Sequence, residues 1–258
     1  MKFDVYFVDA FTSETFSGNP AAVIFSDISD EVLMQNIAAE NNLSETAFIN
    51  LSNNGIRWFS PTCEVNLCGH ATLASAFIYF NYLDNSKESI VLNSASGDLK
   101  VYKKNKYLQL DFPKDKFERV DMVEKVRIAT GVKPIETYIG DINLFAVYEN
   151  EEVISNIKPD FDAVSKLDGQ GLIISSSSNQ YDFVSRYFCP KFGINEDPVT
   201  GSAHTTLIPY WSEQLSKNSL IAKQVSKRGG ELFCQNKEDR VLIGGNAVLY
   251  MKGIIEIS

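Results

Sequence analysis

Arg57-Trp58-Phe59-Ser60-Pro61 reappears later in the chain as Arg186-Tyr187-Phe188-Cys189-Pro190. The offset is 186 − 57 = 129 residues, half of the 258-residue chain. A second match follows, Gly69-His70-Ala71 against Gly201-Ser202-Ala203, at an offset of 201 − 69 = 132. Three residues have therefore entered the loop of the second copy. Both copies read strand, proline, loop, glycine, apolar helix. Two matches in one register favour duplication over chance, and the period is far longer than a solenoid repeat. The pattern predicts two similar domains related by a pseudo-twofold, with the two glycine-helix starts facing one cleft, a common place for a ligand.

The segment after Gly69 sets the architecture of each copy. Ala71, Leu73, Ala74, Ala76, Phe77, Ile78 and Phe80 leave almost no polar face before Asn81. A helix apolar all round has to be buried. Around it the chain is rich in short strand-like runs of Val, Ile, Phe and Tyr punctuated by Gly, Asn, Asp and Ser. These are 3–8, 22–25, 45–51, 56–59, 90–93, 99–102 and 107–112 in the first half. The second half adds 137–139, 144–148, 172–175, 183–188, 220–225, 231–233, 241–243, 247–251 and 254–257. The fold class is α+β, with a sheet wrapped round a buried helix. Ser29-Asp30-Glu31 opens a further helix that ends at Asn41-Asn42, and 121–130 reads as another, stopped by Gly131. Pro209 falls inside the second apolar helix and should kink or shorten it.

Composition excludes several classes. Hydrophobic residues at 44% and charged residues at 22% describe an ordinary globular chain. Lys+Arg 24 against Asp+Glu 33 gives −9, with no basic cluster to suit nucleic acid. No apolar run approaches the roughly 20 residues of a membrane helix, and Asp4 in an alternating N-terminal stretch reads as strand, not signal peptide. Cys63, Cys68, Cys189 and Cys234 show no zinc spacing, and Cys63, Cys189 and Cys234 are expected as reduced cytosolic thiols.

Both histidines of the chain, His70 and His204, lie at the matched glycine turns. Free N–H groups at a helix start favour an anion, so Gly69 and Gly201 suit a small carboxylate. Asp197-Pro198 opens the second turn, where the acid is either a turn former or a partner for a substrate amine or hydroxyl. Glu45 enters an apolar strand; burial raises a carboxyl pKa, which suits a general acid/base.

The motifs together resemble the phenazine-biosynthesis isomerase (PhzF-like) family, within the diaminopimelate epimerase-like superfamily. They are Phe16-Ser17-Gly18-Asn19-Pro20-Ala21-Ala22-Val23, Leu43-Ser44-Glu45-Thr46-Ala47-Phe48, Arg57-Trp58-Phe59-Ser60-Pro61, Leu67-Cys68-Gly69-His70-Ala71-Thr72-Leu73-Ala74 and Asp197-Pro198-Val199-Thr200-Gly201-Ser202-Ala203-His204. The resemblance runs end to end. It implies two domains, each a mixed sheet or barrel round a central helix, at 1–114 and 115–246, with the last strand (247–258) returning to the first. It implies a cofactor-independent isomerase acting on a small unsaturated carboxylate, the best-known substrate being trans-2,3-dihydro-3-hydroxyanthranilate. Glu45 would be the proton shuttle. His70 and Asp197 would hold the amine and hydroxyl region. Ser202 with Gly69 and Gly201 would hold the carboxylate, and Asn19 and Cys68 would line the site. No metal, cofactor, nucleic acid or membrane partner is expected; a cytoplasmic homodimer is. The epimerase relatives use two thiols, whereas here Cys68 is matched by Thr200, which counts against a racemase. A non-catalytic binding protein on the same scaffold is the remaining alternative.

Overall fold

The structure, a computed structural model, describes residues 1–257, and Ser258 lies outside that range. The chain divides into two compact units, one of residues 1–111 with 244–258 and the other of 112–243.

In the first unit, β1 (Lys2–Ala10) pairs antiparallel with β2 (Asn19–Phe25). After α1 (Glu31–Asn41), β3 (Glu45–Asn50) lies parallel to β2 and antiparallel to β4 (Gly55–Phe59). The short β5 (Glu64–Val65) adds antiparallel to β4. Then come α2 (Gly69–Ile78), β6 (Ser89–Ser94), β7 (Gly97–Lys103) and β8 (Leu108–Pro113). β6 meets β4 in parallel and starts an antiparallel meander through β7 to β8. Local chemistry sets the ends of α1. Asp30 accepts from the amides of Val32 and Leu33, and Asn42 closes the helix in the left-handed region at φ 49°.

α2 is the axis of this unit. Nine of its ten residues are buried, and it packs on β1, β2 and β3. Leu73 and Ile78 are each fully buried, a contribution of roughly 1.5–3 kcal/mol apiece. The hydroxyls that share this dry environment are satisfied within the helix. Thr72 donates to the Cys68 carbonyl at 2.6 Å and Ser75 to that of Ala71 at 2.7 Å.

The second unit repeats this plan. β9 (Phe117–Arg119) precedes α3 (Val123–Thr130) and pairs with β10 (Glu136–Gly140), which pairs antiparallel with β11 (Leu144–Val147). Two short helices, α4 (Glu151–Asn156) and α5 (Phe161–Ser165), lead to β12 (Leu172–Ser177), parallel to β11. β13 (Phe183–Cys189) runs antiparallel to β12 and to β14 (Ile194–Asp197). α6 (Ala203–Leu215), β15 (Ser219–Gln224), β16 (Gly230–Asn236) and β17 (Arg240–Gly245) follow, with β15 parallel to β13 and antiparallel to β16. Strand for strand these are the relationships of β1 to β7. The final strand, β18 (Ala247–Glu256), pairs antiparallel with β1. It gives β1 the neighbour that β9 gives β10, so the chain's end returns to the first unit.

Side chains carry the repeat further. Arg57 bridges to Glu64 across β4 and β5 at 2.6 Å and lies over the Phe59 ring at 5.1 Å. Arg186 bridges to Glu196 across β13 and β14 at 2.7 Å and lies over Phe188 at 4.8 Å. The glutamates are 196 − 64 = 132 apart, the offset of the two glycines. Arg186 also donates to the Ile154 and Ile157 carbonyls at 3.0 and 2.8 Å, closing the C-terminal end of α4. Its side chain is 12% exposed, against 34% for Arg57. Arg186→Met is therefore expected to cost about 3 kcal/mol, by leaving Glu196 and two carbonyls unpaired. Arg57→Met, more solvated, is expected to cost about 1 kcal/mol. Urea unfolding of the two variants checks the order.

Pro209 lies inside α6, which runs 13 residues, whereas the helical stretch that begins with α2 continues as a π-helix, Tyr79–Leu83. Proline removes the amide that would bond the Thr205 carbonyl one turn back. The amide of Asp115 takes that carbonyl instead, at 3.3 Å, and the Asp115 carboxylate accepts from Thr206 at 2.5 Å.

Candidate active site

Three chemistry-bearing side chains of the first unit meet at the start of α2. Glu45 opens β3, and its carboxylate Oε2 stands 3.2 Å from His70 Nε2, with 17% of the glutamate side chain exposed. Cys68, the residue before Gly69, places Sγ 3.5 Å from His70 Nδ1. Asn19, fully buried at the head of β2, puts its carboxamide 3.1 Å from the same Nδ1. Gly18 makes that placement possible. It sits at φ +66°, and a Cβ there would lie 2.2 Å from the Ala10 carbonyl oxygen.

Burial pushes the His70 imidazole down to about 3, against a smaller upward pull from the Pro20 carbonyl hydrogen bond. The ring is therefore neutral at physiological pH and acts as a fixed hydrogen-bonding group, with no charge of its own. The first turn of α2 receives no side-chain cap from Cys68, which leaves its amides available to an anion.

In the second unit the matching turn is built differently. Thr200 stands at the position of Cys68 and donates from Oγ1 to Asp197 Oδ2 at 2.5 Å. Gln224, fully buried at the end of β15, locks this turn. Its Oε1 accepts from the Thr200 amide at 2.9 Å, and its Nε2 lies 2.8 Å from the Asp197 carbonyl and 3.1 Å from Thr200 Oγ1. Ser226 adds a bond to the Pro198 carbonyl at 2.7 Å. Gly201 is buried and the half-buried Ser202 precedes α6 without capping it through its side chain. Sequence reading did not single out Gln224; a lone amide in a strand carries no signal until its partners are known.

The two halves differ most at the carboxylate. Phe48 pairs with Arg57 in the first unit and Ile174 with Arg186 in the second. Three residues earlier these registers place Gly171 opposite the role of Glu45. The Tyr187 ring fills that space, since a Cβ on Gly171 would come within 2.6 Å of it. The duplicated scaffold thus carries this carboxylate in one half.

His204 has a structural task. It is fully buried, and its Nδ1 donates to the Thr200 carbonyl at 2.8 Å. Thr72 makes the same bond to the Cys68 carbonyl, four residues back, in the first unit. Burial holds the His204 imidazole down to about 4. Because the folded-state value lies below the ordinary 6.5, the unfolded chain takes up a proton that the native protein refuses as pH falls below 6.5. This contribution to stability is full above pH 6.5 and is lost as pH falls towards 4. The slope is at most about 1.4 kcal/mol per pH unit. His204→Gln is expected to show a shallower acid loss than wild type, by up to one proton, in denaturant titrations between pH 6.5 and 4.

None of the four cysteines is in a disulfide; Cys63 is exposed and the other three are buried. No helix among the described residues is long and apolar enough to cross a membrane.

Comparison with known proteins agrees with this architecture. An isomerase of Pseudomonas aeruginosa, described as uncharacterized, is 45% identical over 100% of both chains. The crystal structure of a PhzF-family phenazine biosynthesis protein from Enterococcus faecalis superposes with a TM-score of 0.96 at 49% identity, covering 100% of each chain. A hydroxyproline epimerase from Agrobacterium vitis, solved with trans-4-hydroxy-L-proline, shares the fold at a TM-score of 0.63 and 8% identity, over 98% of this chain and 92% of its own. The profile of the Phenazine biosynthesis-like protein family matches residues 8–253. The chain belongs to that family of isomerases, on the diaminopimelate epimerase-like fold.

Proposed function

We propose that the protein is a cofactor-independent isomerase that moves a carbon-bound proton on a small, cyclic, unsaturated amino- or hydroxy-carboxylate of the trans-2,3-dihydro-3-hydroxyanthranilate class. The observation that carries this reading is a single, largely buried carboxylate, Glu45, beside a neutral imidazole and an uncapped helix start, with glycine at its counterpart in the other half. One base suits a shuttle: Glu45 takes the proton from one ring carbon, the π electrons redistribute, and the same carboxyl returns the proton to another carbon. His70 holds the substrate's amine and hydroxyl region as a neutral, fixed ring. Asp197, held by Thr200, takes the amine or hydroxyl region, and Ser202 with the glycine turns takes the carboxylate.

A racemase needs a second base on the opposite face of the carbon. At the position matching Cys68 this chain has Thr200, whose hydroxyl donates to Asp197. That commitment weighs against the two-thiol chemistry of the epimerase relatives.

The test is incubation of the wild-type protein with trans-2,3-dihydro-3-hydroxyanthranilate in D2O, followed by proton NMR. The expected result is an isomerised product carrying deuterium at a ring carbon. Neither turnover nor exchange on this compound or on a panel of related cyclic carboxylates would contradict the reading and favour the non-catalytic scaffold.

A further inference from the structure

We propose that Trp58 is a further residue of the Glu45 site: its indole N–H is the hydrogen-bond donor that receives the Glu45 carboxylate when substrate engages His70. The inference rests on the single-carboxylate reading above. Trp58 is 1% exposed, and its Nε1 is buried without a hydrogen-bond partner among the described residues. Shutting such a donor away from water costs about 1–3 kcal/mol, so its presence calls for a cause. Strand register places it. Trp58 pairs with Ala47 across β4 and β3, and Glu45 lies two residues from Ala47 on the same face. Diagonal neighbours of this kind are within reach of an aromatic side chain. Trp58 also borders a cavity of about 440 Å³ beside Arg57, but Nε1 is closed to solvent and takes no partner from it.

The second unit shows what this position does where no carboxylate is present. Tyr187 pairs with Ile173 as Trp58 does with Ala47. Its hydroxyl donates to Asn143 Oδ1 at 2.9 Å, across the space over Gly171. Ala22 pairs with Thr46 in the first unit and Leu144 with Leu172 in the second. One residue earlier on each strand, Asn143 therefore matches Ala21, and Gly171 matches Glu45. Three differences fall together. The second unit has a phenol, its carboxamide acceptor and a glycine; the first has an indole N–H, an alanine with no side-chain acceptor and a carboxylate. Glu45 Oε2 stands 3.2 Å from His70 Nε2. The Asn19 amide nitrogen lies 3.1 Å from Nδ1, so Nδ1 accepts there and the ring proton is on Nε2, towards Glu45. For His70 to hold the polar region of a substrate, that N–H has to leave the carboxylate. Trp58 then supplies the replacement donor on the same face. It fixes one carboxylate oxygen while the other exchanges a proton with carbon, which makes Trp58 a positioning residue.

The test reads the indole N–H directly, by NMR of the intact, isotope-labelled protein. The chain has two tryptophans, and Trp211 donates to Ser175 Oγ at 2.9 Å, which makes it an internal reference. Trp58→Phe identifies the Trp58 resonance. His70→Asn withdraws the imidazole from Glu45 without any ligand. In it the Trp58 indole proton is expected to move downfield, as in a charge-assisted hydrogen bond, while Trp211 stays in place. Adding Glu45→Ala, which removes the acceptor, is expected to abolish that shift. Backbone amide spectra that overlay on wild type establish that the variants are folded. A Trp58 resonance unmoved in His70→Asn, or a shift that survives Glu45→Ala, overturns the pairing. Saturating the wild-type protein with trans-2,3-dihydro-3-hydroxyanthranilate reaches the same state without a substitution, and the same downfield shift is expected; bound ligand with no shift overturns the proposal. Trp58→Phe keeps an aromatic ring and loses the N–H, so kcat is expected to fall about tenfold with little change in KM. A wild-type kcat in Trp58→Phe overturns the positioning role. A shift in His70→Asn that depends on Glu45, in a protein that turns over none of the cyclic carboxylates above, supports the pairing and contradicts the isomerase reading alone.

Discussion

Glu45→Gln is expected to lower turnover and carbon-proton exchange by about 10³-fold while the protein melts where wild type does. The carboxamide keeps the volume of the side chain and a hydrogen-bonding oxygen 3.2 Å from His70 Nε2. What it loses is the ability to carry a proton away from carbon and bring it back. An interaction of that kind is made in the transition state, so kcat should fall with little change in KM. Glu45→Asp keeps the chemistry and withdraws the carboxylate by one methylene. A misplacement of about 1 Å costs on the order of 10²-fold, so this variant should lie between wild type and Gln. Steady-state kinetics on the three proteins checks the order. Equal rates for Gln and wild type would remove Glu45 from the reaction and turn attention to Cys68 and His70.

The second large effect is expected at Gln224. Gln224→Leu fills the same space but deprives the Thr200 amide, the Asp197 carbonyl and Thr200 Oγ1 of their partner. Leaving such groups without partners in a dry interior costs about 1–3 kcal/mol for the first alone, so a total of roughly 3 kcal/mol is expected. The turn that aims Asp197 then loosens, and kcat/KM should fall by about 10²-fold beyond any loss of folded protein. Gln224→Glu retains the acceptor for the Thr200 amide and surrenders both donations, so it should fall between the two. Thermal melts separate the stability loss from the catalytic one. A Leu variant with native melting temperature and native kcat/KM would show that the turn needs no such latch.

Much of the fold was legible because the repeat is written in residues with strong local meaning. Arg57-Trp58-Phe59-Ser60-Pro61 matches Arg186-Tyr187-Phe188-Cys189-Pro190, and Gly69 and Gly201 stand at the turns that open matched helices. The apolar stretch after Gly69 could only be a buried helix, and α2 is one. Other features depend on partners distant in sequence. α4 and α5 went unread although Asn150 and Asp160 cap them, because five- and six-residue helices show no apolar period. The separate runs 247–251 and 254–257 are one strand, β18, since pairing with β1 carries it through Lys252 and Gly253. His204 read as a site candidate beside its glycine turn; only the matching Thr72 bond shows that it ties down a carbonyl. Likewise, glycine in place of Glu45 in the second half became visible only through strand register.

The most direct test of the single-carboxylate account is label transfer. Substrate deuterated at the carbon that loses its proton is turned over in H2O, and the product is analysed by mass spectrometry and NMR. A single shuttle, largely shielded from solvent, returns part of its own deuterium, so measurable label is expected at the accepting carbon and on the face from which it left. Label lost completely to solvent in the earliest product, with the new hydrogen delivered to the opposite face, would require a second base and contradict the account.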